Sequence, residues 1–309
     1  MTQRILVLGG TGMVGHKMFE VLSKRQDLDV WATCRNQSEI PGTFPRHLVR
    51  KMRPHVDADN FDTIIRALAS LQPDVVINCI GLIKQLSGAQ DPLTSITVNS
   101  QLPHRISLVC RTAGARLIHL GTDCVFDGSK GSYREDDPSD AKDLYGRTKY
   151  LGEVYYEPHC VTLRTSIIGH EIKGMLSLVE WFMAQRGTVK GYTKAIYSGL
   201  TTVELARVVA DYVLPNPQLT GLYHLSVDPI SKHDLLGRIA ETYGKKITVV
   251  ADDAVAIDRS LDSTRFRRAT GYAPDDWTGL VRDMYNDYAS CPYYRTYDDT
   301  EPLKGSVNR

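Results

Sequence analysis

Alternating strands and helices up to Gly169, a glycine-rich turn directly after the first apolar run, and a looser rhythm beyond it predict an α/β chain. The expected architecture is a Rossmann-type, doubly wound parallel sheet with a smaller mixed C-terminal substrate lobe. Residues 1–168 form the expected dinucleotide domain and 169–309 the main part of the lobe, with 203–215 able to return to the first domain.

Ile5-Leu6-Val7-Leu8 reads as a fully buried strand. "LGGTGMVGHK" (8–17) follows it, and Val14, Met18, Phe19 and Leu22 then recur at helical spacing. Strand, glycine turn and helix in that order present free backbone N–H groups and a positive dipole end to an anion. Gly9 permits the tight turn, Gly12 lets the backbone approach a pyrophosphate, and Gly15 lets helix and strand pack closely. A bare turn uses the same glycines; the flanking strand and helix favour the ligand.

Val30–Cys34 is the second strand, and a loop with Pro41, Gly42 and Pro45 leads to a third ending near Asp57. A helix over Phe61–Leu71 precedes "PDVVINCIG" (73–81), a buried strand opened by Pro73 and closed by Gly81. A helical stretch from Ser95 to Ala113 leads to the strands "ARLIHLGTD" (115–123) and "CVTLRTSIIG" (160–169). Right-handed crossovers between such strands give a parallel sheet whose ligands lie at the carboxyl ends. Beyond Gly169, helices at 175–186, 203–213 and 233–243 and strands at 221–227 and 246–252 are expected to build the smaller lobe. The tail from Cys291, rich in Tyr, Asp and Pro, reads as a surface arm.

The 309 residues suffice for two lobes, and 42% hydrophobic with 24% charged residues is ordinary for a soluble globular protein. A net charge of +1 gives no argument for nucleic acid or an anionic membrane as partner. Six cysteines (34, 79, 110, 124, 160, 291) without CxxC spacing suggest reduced thiols rather than disulfides or a metal site. The N-terminus resembles no signal peptide, and no apolar run approaches membrane-spanning length, so a cytoplasmic location is expected.

An Asp or Glu about 20 residues past the glycines usually bonds the ribose 2′-hydroxyl of NAD. Arg35 stands there instead, where a guanidinium suits a 2′-phosphate; a solvated arginine at a strand end is the alternative. NADP(H) is therefore favoured, with NAD(H) still possible. In "DLYGRTKYLGE" (143–153), Tyr145 and Lys149 are four apart and share one helix face. A nearby ammonium and a nicotinamide cation favour the phenolate, bringing the tyrosine's acidity toward working pH. Tyr145 then suits protonation of a carbonyl oxygen, and Thr122, just after a strand, can hydrogen-bond the same oxygen.

The chain resembles the extended short-chain dehydrogenase/reductases over nearly its whole length. The resemblance rests on Gly9, Gly12 and Gly15, "NCIG" (78–81), "TDCVFDG" (122–128), and Tyr145 with Lys149. "TDCVFDGSKGSYREDDP" (122–138) with "LYGRTKYLGE" (144–153) is most similar to the dTDP-4-dehydrorhamnose reductases and related nucleotide-sugar 4-ketoreductases. This resemblance implies catalytic Thr122, Tyr145 and Lys149. It implies NAD(P)H along Gly9, Thr11, Gly12, Met13, Val14 and Gly15, with Asp57 near the adenine and Cys79, Ile80 and Gly81 beside the cofactor. A nucleotide-activated 4-keto-6-deoxyhexose would sit under the C-terminal lobe, in synthesis of a deoxysugar for bacterial surface polysaccharide; a homodimer is left open.

Gly121 replaces the serine expected before Thr122, and Cys124 stands where the resembled reductases tend to carry an aromatic residue. Nucleotide-sugar 4,6-dehydratases carry glutamate at position 124, so their acid is lost here. The GDP-fucose synthases, which epimerise before reducing, place a cysteine there with a histidine farther along, and His170 is the candidate partner. Core roles for Cys124 and His170 are the competing reading. Asp123 joins the substrate-side candidates. Lys84 and Gln85 follow a strand end and either meet substrate or line a solvated loop. Arg259 suits a diphosphate, with Arg265, Arg267 and Arg268 as competitors; Trp181 and Phe182 read as helix core. A non-catalytic NADP-binding subunit, such as the one associated with methionine adenosyltransferase, is the alternative of another class.

Overall fold

The computed structural model describes residues 2–84 and 87–297. Its main sheet contains β1 (Gln3–Leu8), β2 (Leu28–Thr33), β3 (Met52–Arg53), β4 (Val75–Asn78), β5 (Arg116–Leu120) and β6 (Cys160–Arg164). Two short strands, β7 (Ile167–Ile168) and β9 (Leu200–Thr201), pair beside it. β8 (Gly187–Tyr197), β11 (Ile230–Ser231) and β12 (Ile247–Asp258) form a separate mixed sheet in the order β11-β8-β12, and β10 (Gly221–His224) returns to the main one. The main order is β10-β6-β5-β4-β1-β2-β3, every pair parallel. This is a Rossmann-like α/β fold with its strand-order reversal between β1 and β4, and the carboxyl ends at such a reversal are where sheets of this kind hold their ligands.

Period-two alternation sends Ile5 and Val7 to one face of β1 and Leu6 and Leu8 to the other, so both faces carry a core. On the first face lie α1 (Met13–Ser23), Leu48 of the one-turn α2 (Arg46–Val49), α8 (Thr202–Val208) and α11 (Trp277–Ser290). On the second lie α3 (Phe61–Leu71) and α5 (Leu102–Ala113). α5 continues from α4 (Pro92–Ser95) through a π-helical segment, Ile96–Gln101, against which α6 (Leu144–Leu151) packs. α7 (Leu178–Ala184) adds to the first core, α9 (Lys232–Tyr243) lies on β8, and α10 (Thr264–Thr270) packs on β10.

Four details differ from the sequence-based expectations. The third strand is only Met52–Arg53, and Asp57 sits in the turn that leads into α3. The strand at 221–224 extends the main sheet beside β6 instead of building the smaller lobe. β8 was not anticipated; its two partners lie more than 30 residues downstream, which no local pattern announces. The described part of the tail after Cys291, which ends at Tyr297, is not a surface arm, for Tyr293 and Tyr294 are buried at 6% and 7% exposure. Residues 203–208 pack through α8 against α1, inside the main core.

Candidate active site

The crevice is built first by the glycine turn. Gly9 has φ of 83°, a left-handed conformation that side chains resist. A Cβ on Gly15 would lie 2.1 Å from the Gly9 carbonyl oxygen, so helix and strand meet only because it is glycine. Gly12 differs: its Cβ would meet only that oxygen, at an ordinary 3.4 Å, so nothing in the protein demands glycine there. The open space in front of it, and the start of α1 at Met13 and Val14 without a side-chain cap, make a cradle suited to a diphosphate. Across the crevice, Asn78 Oδ1 accepts from Ile80 N at 3.1 Å and fixes the Cys79-Ile80-Gly81 turn. Burial pushes the Cys79 thiol up to about 12, so it stays protonated. These residues fit a nicotinamide dinucleotide.

The region expected to take the adenosine, around Arg35 and Asp57, is more crowded than the sequence suggests. Arg35 is exposed beyond β2, its Nε 3.9 Å from Glu39 Oε1. Glu39 also accepts from Thr11 Oγ1 at 3.0 Å and from Lys173 Nζ at 2.6 Å. Burial would raise the Glu39 carboxyl, but Lys173 and Thr11 hold it below its ordinary value. Asp57 is half-buried, and its Oδ1 accepts from Asp59 N at 3.2 Å.

The candidate catalytic groups gather beside Gly81. Thr122 Oγ1 accepts from Cys124 N at 3.2 Å, opening the single turn Asp123–Val125 beyond β5. Asp143 caps α6 by accepting from Gly146 N at 2.7 Å. A Cβ on Gly146 would stand 2.2 Å from the Cys124 carbonyl oxygen, so this glycine lets α6 press onto the Thr122 turn. This brings the Tyr145 phenol close enough to Thr122 for the threonine hydroxyl to favour its ionised form. One helical turn on, the buried Lys149 donates to the Leu120 carbonyl at 2.9 Å and lies close to Gly81. Burial lowers Lys149 to about 8, against the opposing charge of Glu153. Burial also raises Tyr145 above its ordinary value, aided by Cys124 and Asp123 and opposed by Thr122. From the sequence the neighbouring ammonium is expected to bring its acidity toward working pH, whereas in the protein alone desolvation outweighs the nearby groups and Tyr145 is a neutral proton donor.

Residues 3–290 match the family model described as the RmlD substrate binding domain. The chain belongs to that family. A dTDP-4-dehydrorhamnose reductase of Streptomyces griseus is 32% identical over 151 residues, covering 48% of this chain and 43% of that protein. The chain thus spans less than half the length of that relative. Methionine adenosyltransferase 2 subunit beta of Danio rerio is 24% identical over 253 residues, 78% of this chain and 74% of that one. A solved dTDP-4-dehydrorhamnose reductase of Bacillus anthracis, in complex with NADP, superposes with a TM-score of 0.75 at 18% identity, covering 93% of this chain and 99% of that one.

In this RmlD-family chain the substrate-side candidates separate. Lys84 Nζ donates to Asp143 Oδ2 at 2.7 Å and lies 5.5 Å from the Tyr145 ring centre, at the mouth of the site; Gln85 lies outside the described residues. Arg259 donates to the Phe126 carbonyl at 2.7 Å and its charge reaches Asp123 and Cys124. Burial nevertheless raises the Asp123 carboxyl, and with Asp123 it pushes the Cys124 thiol up to about 12. Arg265 instead lies over the Tyr223 ring, and Arg267 is held by Ser263 and Ser226. Phe182 is fully buried and Trp181 packs against the same core.

His170 is not brought to this site. Its Nδ1 meets Glu180 Oε1 at 2.8 Å and its Nε2 meets the Tyr243 hydroxyl at 2.9 Å, while its ring stacks on Tyr288. Both nitrogens are engaged and the residue is 2% exposed, so it has no nitrogen to offer Cys124 or a substrate. Sequence reasoning missed Ser166 and Tyr197, which reach Asp123 from just beyond β6 and from the last position of β8. Attention to strand ends finds Ser166; Glu39 and Lys173 sit in no motif.

Proposed function

We propose that the chain is an NAD(P)H-dependent oxidoreductase that reduces the C4 ketone of a nucleotide-activated 4-keto-6-deoxyhexose. The observation that carries this reading is the Tyr145–Thr122 hydroxyl pair with the buried Lys149, set beside a glycine cradle in one crevice. The printed names of relatives, nucleotide-sugar reductases among them, point the same way.

A bound NAD(P)H supplies the hydride. Thr122 and Tyr145 orient the ketone oxygen by hydrogen bonds, and Tyr145 delivers its proton to that oxygen as the carbon is reduced. The Lys149 ammonium, anchored on the Leu120 carbonyl, stabilises the negative charge left on Tyr145. Lys84 and Arg259 supply positive charge at the mouth for the nucleotide diphosphate. Arg35 favours NADPH over NADH, though Glu39 beside it weakens that preference. Reduction without prior epimerisation fits best, because Cys124 is a protonated thiol without a histidine partner. The product serves synthesis of a surface deoxysugar. No described helix is long and apolar enough to cross a membrane.

The Danio rerio relative keeps the non-catalytic reading in play. A screen of NADPH oxidation against dTDP-, UDP- and GDP-linked 4-keto-6-deoxysugars separates the two. Turnover with one of them supports the reductase; NADPH binding with no turnover across the panel supports a binding subunit.

A further inference from the structure

The tail expected to be a surface arm folds back behind the cofactor helix, and its contacts run to the glycine turn. His16 is wholly buried and is the fourth residue of α1, the helix that the glycine motif opens. Its backbone N–H donates to the Gly12 carbonyl at 3.0 Å, and its ring Nδ1 lies 2.9 Å from the same oxygen. Its Nε2 lies 2.8 Å from the Tyr294 hydroxyl. A carbonyl only accepts, so Nδ1 carries the ring proton and Nε2 accepts from Tyr294. Burial, with Lys17 adding to it, lowers His16 to about 3, which keeps the ring in that single neutral form.

We propose that Tyr294 is a positioning residue for the dinucleotide: through His16 it fixes the Gly12 carbonyl, and with it the free N–H groups that open α1. The proposal rests on the glycine turn being the cofactor's diphosphate site. Two further observations carry it. The hydroxyl of Tyr294 has a second acceptor, Asp287 Oδ2, at the longer distance of 3.4 Å, and Asp287 is already engaged by the Lys17 ammonium at 2.7 Å. The proton therefore belongs to His16. Both tyrosine rings lie over the Lys17 ammonium, but the hydroxyl of Tyr293 bonds other groups, Lys17 Nζ at 3.1 Å and Glu20, with Cys291 Sγ 3.8 Å from the same ammonium. Anchoring the tail and orienting the glycine turn are thus divided between adjacent tyrosines. Tyr297, bonded to Glu180, holds the next turn of the tail.

The division makes the proposal testable with full-length protein and NADPH alone. Tyr294→Phe keeps the ring and removes one neutral hydrogen bond, so NADPH Kd by fluorescence titration should rise about 3- to 10-fold. Tyr293→Phe should lower the melting temperature while leaving that Kd within about twofold of the parent's. His16→Asn can turn its amide N–H toward Gly12, but its oxygen stands short of the position of Nε2 and does not replace the acceptor for Tyr294, so adding Tyr294→Phe to it should change the Kd no further. Equal effects of the two tyrosine changes on Kd, or a full Tyr294→Phe effect in the His16→Asn background, overturn the proposal while leaving the dinucleotide site intact. No NADPH binding by the unmodified protein overturns both.

Discussion

Replacing Tyr145 with phenylalanine removes one oxygen from the crevice and leaves the rest in place. The ring keeps its packing beside Lys84, and Lys149 keeps its bond to the Leu120 carbonyl. Thr122 keeps its acceptor bond from Cys124 N, and its hydroxyl, which donates to Asp123 Oδ1 at 3.2 Å, can rotate toward the substrate oxygen. General acid catalysis contributes roughly two to four powers of ten. With Thr122 still donating, the lower half of that range applies, a fall in kcat of about 10²- to 10³-fold, or about 3–4 kcal/mol of barrier. NADPH Kd should stay within about twofold, because the hydroxyl faces Thr122 and not the glycine turn. Steady-state loss of NADPH absorbance with a saturating 4-keto sugar nucleotide gives the rate, and fluorescence titration gives the Kd. An undiminished kcat in Tyr145→Phe refutes the proton assignment; a lost Kd with normal kcat at high NADPH refutes the geometry behind it.

Lys149, lowered to about 8 by burial, is charged below that pH and neutral above it, so kcat/KM for reduction should fall as pH rises through about 8. Lys149→Arg should move that falling limb upward, and a limb that stays put in the variant assigns it elsewhere. Cys124→Ala should keep most turnover, with no solvent deuterium entering the carbons beside the ketone; exchange that depends on Cys124 would replace simple reduction by epimerisation and reduction. Gly12→Ala should fold with a melting temperature near the parent's yet lose NADPH binding at least tenfold. Gly15→Ala, whose Cβ would collide with Gly9 at 2.1 Å, should lose stability as well. Thermal melts with and without NADPH distinguish the two glycines.

The parallel sheet and the crevice were legible in the chain because their signals are local. A strand of four apolar residues, three glycines and a helical repeat sit within twenty positions, and Tyr145 and Lys149 share one turn of helix. Asp57 missed its strand because β3 stops after two residues and a turn takes over. β8 and the return of Gly221–His224 to the main sheet depend on partners far away in sequence, which periodicity does not carry. The tail misled for a related reason. Tyrosines spaced for no regular element look solvent-facing, yet Tyr293 and Tyr294 find Lys17, Glu20 and His16 some 270 residues upstream. His170 has the chemistry of a catalytic base, and only its burial among Glu180, Tyr243 and Tyr288 shows that both nitrogens are spent.

The central claim is that hydride reaches C4 of a nucleotide-linked keto sugar in the crevice between the glycine cradle and Tyr145. Incubating the protein with NADPH carrying deuterium at both C4 positions of the nicotinamide, and with the 4-keto-6-deoxysugar nucleotide that turns over, tests it by mass and NMR of the product. The account predicts one deuterium per product molecule, located at C4 of the sugar. A product with deuterium at any other carbon, or a reduced product with none, contradicts it.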